Sequence, residues 1–263
     1  MKEKNNLIKV SNVLTQKLCI VDKTDVLNIT QRAIIYYLMS KIQPGDNELK
    51  REEICLSEFC KLFKIDYASG QAKSRVRKAI FDLKKKKFYL EKENILIYWV
   101  EDSIEVSNDK TTMYIRLHQD MSKYLFNLES KYTFFKLGYI CSFKSKYSWK
   151  VYEFLHSWLA GGRIMLTVQN ALLKLGLGQY DTYSEFRKRI LQPAITEINM
   201  NTDIMVKFGL KKKNGKVTNI LFVIQQKSEE ELSELEKNFN EDCLDSMFIE
   251  EMFKEFQNIY SVS

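Results

Sequence analysis

Asn214-Gly215 is the pair that most constrains this chain. Asn-Gly is favoured in a type I′ two-residue turn, which needs positive φ at both positions. The flanking runs, MVKFGL and VTNILFVI, are rich in strand formers. Together they predict an antiparallel hairpin with Lys211, Lys212, Lys213 and Lys216 at its tip. That turn sets Phe208 opposite Leu221 and Val206 opposite Val223 on one apolar face, with Lys207, Lys211 and Thr218 on the other. Four neighbouring lysines repel one another unless an anion neutralises them.

The segment before the hairpin, Tyr180–Asn199, predicts a helix. Thr182 and Glu185 fit a capping box. Tyr183, Phe186, Ile190, Ala194 and Ile198 fall on the core side, and Glu185, Lys188, Arg189 and Gln192 on the other. Arg187 lies nearer the core side, within reach of the rim. Pro193 lacks the N–H for its helical bond, which predicts a kink. Arg reads guanine in the major groove and Gln reads adenine, so the half before the kink holds the base-reading candidates. A basic helix followed by a basic-tipped hairpin is what a winged helix presents to DNA. Two plainer readings stand beside it: a solvent-facing helix with ordinary charges, and a lysine-rich hairpin that protects a sheet edge.

The first half of the chain has the same order of elements without a sequence repeat. A helix is expected from about Thr30, as N-cap, to Ile42, before Pro44-Gly45. A short helix over Ser57–Lys64 and a longer one over Ser69–Lys87 follow. Ala72, Val76, Ala79, Ile80 and Leu83 form the apolar stripe of the second. Gln71, Ser74, Lys78 and Lys85 fall on the opposite face, with Arg75 and Arg77 on its flanks. Strands are expected at Phe88–Glu91, Ile95–Val100, Ser103–Val106 and Thr112–Leu117. Residues 132–146 read as an ordered junction between two domains. Beyond it come a helix from Lys146 to Leu159, a strand at Arg163–Leu166 and a helix capped by Thr167 with Val168, Leu172 and Leu175 facing inward. The expected fold class is α+β: two tandem winged-helix domains, 1–131 and 132–227, and an acidic tail, 228–263.

Charge supports a polyanionic partner. Ser228–Ser263 holds nine Glu and two Asp against Lys237 and Lys254, a net of −9. That leaves +16 on Met1–Lys227 for a chain total of +7. A body this basic suits nucleic acid. Phe239, Met247, Phe248, Met252, Phe253 and Phe256 sit among the acids of the tail and suggest amphipathic helical segments. No run of 18 apolar residues marks a membrane span, and Met1–Asn12 lacks the apolar core of a signal peptide, so a cytoplasmic protein is expected. Five scattered cysteines lack zinc spacing. His118 and His156 are far apart and read as structural residues. Gly215-Lys216 fails as a phosphate loop because Val217 stands where Ser or Thr is needed. No catalytic motif and no cofactor site is read, so a non-enzyme is expected. A nicking or priming enzyme is the alternative of a different class.

Three blocks, Ser145–Leu159, Tyr180–Asn199 and Lys211–Ile224, resemble the iteron-binding plasmid replication initiators. Ser11–Gln16 and Asn28–Ile42 resemble that family's N-terminal domain. The resemblance spans roughly residues 8–226 and leaves the tail uncovered. It implies tandem winged helices that bind direct repeats in double-stranded origin DNA, help melt an A·T-rich region and recruit a host helicase or initiator proteins. It also implies a homodimer through the N-terminal domain that represses its own promoter. By motif, Arg187, Lys188 and Arg189 take the recognition-helix role, and Lys211–Lys213 with Lys216 the wing role. Lys73, Ser74, Arg75, Arg77 and Lys78 are their N-terminal counterparts. A winged-helix transcription regulator without a replication role remains the other reading.

Overall fold

A computed structural model describes residues 7–19, 27–43, 45–65, 70–90, 93–128, 132–175 and 183–238. The chain divides into two compact units, Met1–Gln225 and Gln226–Ser263.

In the larger unit, strand β1 (Leu7–Ser11) leads into helix α1 (Asn12–Cys19). Strand β1 pairs antiparallel with β7 (Tyr132–Lys136), Leu7 opposite Lys136 and Ser11 opposite Tyr132. The segment expected as a junction is thus a strand followed by α5 (Leu137–Ser142). Helix α2 (Ile29–Met39) is buried on all sides from Gln31 onward. Its N-cap is Asn28, not Thr30: Asn28 Oδ1 accepts from the Gln31 N–H at 2.9 Å, and Gln31 Oε1 accepts from the Asn28 N–H at 3.0 Å. Gln31 decides between the two candidates, because only Asn28 has a partner three residues on that answers it.

The first winged-helix set is α2, β2 (Glu52–Cys55), α3 (Leu56–Leu62), α4 (Gly70–Leu83), β3 (Lys87–Leu90) and β4 (Ile95–Tyr98). Ala72, Val76, Ala79, Ile80 and Leu83 are the buried face of α4, as their spacing requires. Strand β2 pairs with β6 (Thr112–Ile115), which also pairs with β5 (Glu105–Val106). Strands β3 and β4 therefore form a separate two-stranded ribbon. The helix expected between Tyr114 and Tyr124 is shorter: β6 runs to Ile115, and a 3-10 turn occupies Gln119–Tyr124.

The second set is α6 (Lys146–His156), β8 (Arg163–Thr167), α7 (Val168–Lys174), a long helical run from Tyr183 to Asn201, β9 (Ile204–Lys213) and β10 (Lys216–Gln226). Thr167 caps α7, its Oγ1 accepting from the Asn170 N–H at 3.1 Å. Leu175 is buried, whereas Val168 and Leu172 are half-buried and Ala171 takes the inner place. Strand β10 is central, between β8 and β9.

The two sets share a core. Tyr36 of α2 lies 5.6 Å from both Phe135 and Trp149, ring to ring. Arg32 of α2 pairs with Glu153 of α6, and both side chains are almost fully buried. The Arg32 guanidinium also sits 5.6 Å over the Trp149 ring. Breaking a buried pair by removing one partner costs about 3–5 kcal/mol, because the survivor is left desolvated. At the far end of α6, Asp203 accepts from Tyr152 Oη at 2.8 Å and lies 3.2 Å from His156 Nε2. Burial pushes the Asp203 carboxyl up, but the His156 and Tyr152 bonds outweigh it and hold the group below the usual carboxylate range. His156 is thus a structural residue, and His118 caps the 3-10 turn by accepting from the Asp120 N–H. Among the described residues, no helix is long and apolar enough to cross a membrane.

The smaller unit contributes α10 (Glu229–Asn238). Ser228 and Glu231 close a capping box, Glu231 Oε2 accepting from the Ser228 N–H at 2.7 Å. The tail phenylalanines and methionines from Phe239 onward lie outside the described residues.

Candidate nucleic-acid interface

The run from Tyr183 to Asn201 is one helix with a changed pitch in its middle. It consists of α8 (Tyr183–Phe186), a π turn over Arg187–Leu191, and α9 (Gln192–Asn201). The Gln192 N–H bonds the Arg187 carbonyl, five residues back. Pro193 explains this. An α-helix would aim the Pro193 ring at the Arg189 carbonyl and leave that carbonyl without a donor. The widened turn relieves the clash, so the proline's effect is a π turn just ahead of it. Thr182, expected as the cap, lies outside the described residues.

The π turn carries the cations outward. Arg187, Lys188 and Arg189 are exposed, while Ile190 and Leu191 are buried beneath them. Phe186, Ala194 and Ile198 are buried as expected; Tyr183 is half-buried. Arg189 lies 3.3 Å from Glu185, one turn back, an exposed pair that holds the guanidinium only weakly. The Arg187 guanidinium lies 5.9 Å over the Phe208 ring of β9, so this arginine bridges helix and hairpin. Gln192 is half-buried at the end of the turn.

The hairpin tip is as its sequence demands. Asn214 has φ +52° and Gly215 φ +74°, the left-handed pair of a type I′ turn. Lys211, Lys212, Lys213 and Lys216 are all exposed, and among the described residues none has an acidic partner. Thr218 Oγ1 donates to the Lys211 carbonyl at 3.2 Å and braces the tip.

Deeper in the hairpin the expected pairing of faces is wrong. Val206 and Phe208 are buried on β9, but on β10 the buried residues are Ile220, Phe222 and Ile224. Leu221 and Val223 are each 37% exposed. A uniform two-residue hairpin cannot bury even-numbered residues on both strands, so the pairing shifts by one residue between tip and base, as a bulge produces. The cause is tertiary. Strand β8 fixes β10 by setting Ile220 opposite Leu166 and Phe222 opposite Ile164, and those partners face the core.

In the first half, Ser74, Arg75 and Lys78 of α4 are exposed, with Lys73 and Arg77 half-buried. The structure therefore brings the sequence candidates into two groups, one on each basic helix, and the second group adjoins a cationic hairpin. The helix expected to reach Lys87 ends at Leu83; Lys84–Lys86 follow it and Lys87 opens β3, all four half-buried or exposed, and of these only Lys85 was placed on the outer face from sequence. The charge run itself was the available signal.

Comparison with known proteins agrees with this arrangement. Residues 1–156 match the family model described as Initiator Replication protein, WH1, and residues 170–224 match Initiator Rep protein, WH2. Among solved structures, the chain is similar to the Pi initiator protein in its complex with iteron DNA. Identity there is 19% and the TM-score is 0.70, over 86% of this chain and 99% of that one. At that identity the likeness concerns the fold, which is a tandem pair of winged helices. The WH1 match alone spans more than half of the sequence, and with the WH2 match beside it the chain belongs to the Rep3 family of initiator replication proteins, DNA-binding proteins without catalytic activity.

Proposed function

We propose that this chain initiates plasmid replication by binding direct repeats, or iterons, in double-stranded origin DNA. One observation carries the reading: a single compact unit holds two winged-helix sets, each with a cationic helix exposed to solvent. A tandem reader suits a tandem site, with the two helices in successive major grooves. Arg187, Lys188, Arg189 and Gln192 contact base edges and nearby phosphates. Lys211–Lys213 and Lys216 clamp phosphates and add affinity rather than sequence choice. Lys73, Ser74, Arg75, Arg77 and Lys78 do the corresponding work on α4.

The functional division follows 1–131, 132–227 and 228–263. The bound protein promotes melting beside the repeats and recruits a host helicase or initiator. A homodimer through the N-terminal half represses the protein's own promoter, and the protein works in the cytoplasm. The acidic tail binds a partner. Footprinting on DNA flanking the gene, joined to a replication test of a plasmid carrying that DNA, checks the proposal. Protected direct repeats of about 20 base pairs, roughly two helical turns, and a replicating plasmid are expected. A single protected palindrome with no replication overturns it in favour of a transcription regulator.

A further inference from the structure

Helix α4 carries an aromatic ring on its outer face. Ala72, Val76, Ala79, Ile80 and Leu83 are buried, and Phe81 lies on the opposite side, 41% exposed. It stands three residues after Lys78 and seven after Ser74, in line with both at helical pitch. A single exposed apolar side chain is ordinary on a protein surface. This one is set among groups that suit a nucleic acid. Lys78, one turn before it, is exposed, and Arg77 is half-buried on the flank. Lys84–Lys87 follow the helix. The only acid in α4, Asp82, is half-buried.

From Ser74 to Phe81 the helix advances about 10 Å, at about 1.5 Å per residue, close to three base-pair steps. Recognition helices read about three successive bases with side chains at such intervals. A phenyl ring has no conventional donor or acceptor, so it does not read the hydrogen-bonding code of the base edges. The major groove offers one apolar feature, the C5-methyl group of thymine. A ring laid against that methyl takes both out of water. Cytosine in its place presents a bare C5 edge and an amino group that the ring desolvates without pairing.

We propose that Phe81 is a specificity-determining residue that reads a thymine methyl in the major groove. Resting on the reading of α4 as a duplex-binding helix, this divides the work between the two halves. The exposed residues of the π turn, Arg187, Lys188 and Arg189, are all cations, whereas α4 adds an apolar contact to its cations.

The test uses the full-length chain and the duplex that it selects from a random-sequence pool. Each thymine of that duplex is replaced in turn by deoxyuridine, which pairs alike and lacks only the methyl. Wild type should lose about 4-fold in affinity at one thymine, the worth of one buried methyl. Phe81→Ala should bind the unmodified duplex about 10-fold more weakly. It should show no further loss at that thymine, so the two changes are not additive. Phe81→Leu retains apolar bulk and should keep most of the methyl preference. Affinity for a random-sequence duplex should stay within about 2-fold of wild type in both variants. The proposal is overturned if no sequence is selected, if no thymine responds, if Phe81→Ala keeps the wild-type loss at every thymine, or if selected and random duplex affinity fall in step. A selected lone palindrome that supports no replication sinks the initiator reading and leaves the coupling of Phe81 to the methyl standing. Direct repeats that replicate without this coupling remove the role of Phe81 alone.

Discussion

The two winged-helix halves follow one element order and distribute their chemistry differently. In the second half, β8 completes a three-stranded sheet with β10 and β9, and the hairpin strands are 10 and 11 residues long. In the first half, β6 takes β2, and the hairpin is left as a ribbon of two four-residue strands. The long hairpin ends in four exposed lysines; among the described residues of the short one's turn, Glu93 is held by Lys123 and Tyr124. The helices differ too. Helix α4 is 14 regular residues, whereas its counterpart changes pitch through a π turn at its cations. Repetition of a fold fixes where a helix and a hairpin stand. The side chains at the tip and the partner chosen by one strand decide what each half grips.

The sharpest way to break this comparison is to discharge the long hairpin. Replacing Lys211, Lys212, Lys213 and Lys216 by Ala removes up to four phosphate contacts. The slope of log affinity against log salt should fall by about 0.9 per contact, and duplex affinity at physiological salt by about 100-fold. The same treatment of Lys84–Lys87 should cost the duplex less than about 10-fold. Equal losses in a gel-shift salt series would mean the two hairpins are not specialised.

Arg189→Ala comes next. A bidentate arginine contributes about 1–3 kcal/mol of discrimination at one base pair, so roughly a 10-fold loss concentrated at one position of the repeat is expected. Losing Glu185's partner should hardly change stability, since the pair is exposed. A uniform loss across mutated repeats would reassign Arg189 to phosphate binding. Pro193→Ala sharpens the helix comparison with a smaller effect. It restores a donor for the Arg189 carbonyl and lets α9 extend backwards in regular pitch. Losing the extra residue of a π turn rotates the preceding side chains by about 100°. Base preference should shift a few-fold with little change in the unfolding midpoint, and an unchanged binding profile would show that the π turn does not aim the cations.

How much of this was legible follows from how local each cause is. The Asn214-Gly215 turn and the Thr167 cap are set by residues within three positions, and both stand where sequence placed them. The lysine tip needed only the turn. Asn28 was legible in principle, because Gln31 answers it three residues on, but Thr30 drew the assignment. The face change between β9 and β10 was not legible: it is imposed by β8, some fifty residues earlier. Nor was the Arg32–Glu153 pair, whose members are 121 residues apart and look like ordinary surface charges on their helices. Pro193 announced a disturbance, but proline chemistry alone does not say whether a helix bends or widens.

The smallest expected effect concerns the tips themselves. Hydrogen bonds from Lys123 and then Tyr124 hold Glu93 below the usual carboxylate range. A carboxylate depressed in the folded state adds stability above its unfolded pKa and loses it as pH falls through its folded value. The short hairpin should therefore loosen in acid, below the ordinary range for Glu, while the lysine tip keeps its charge throughout. Hydrogen exchange of the amides in 93–98 and 211–218, corrected for intrinsic rates, compares the tips between neutral and acid pH. Protection should drop in the first segment alone, and Glu93→Gln should abolish the difference by removing the titrating group. Equal pH dependence in both segments would mean that global acid unfolding governs them, and that the Glu93 contacts do not set the first tip's rigidity.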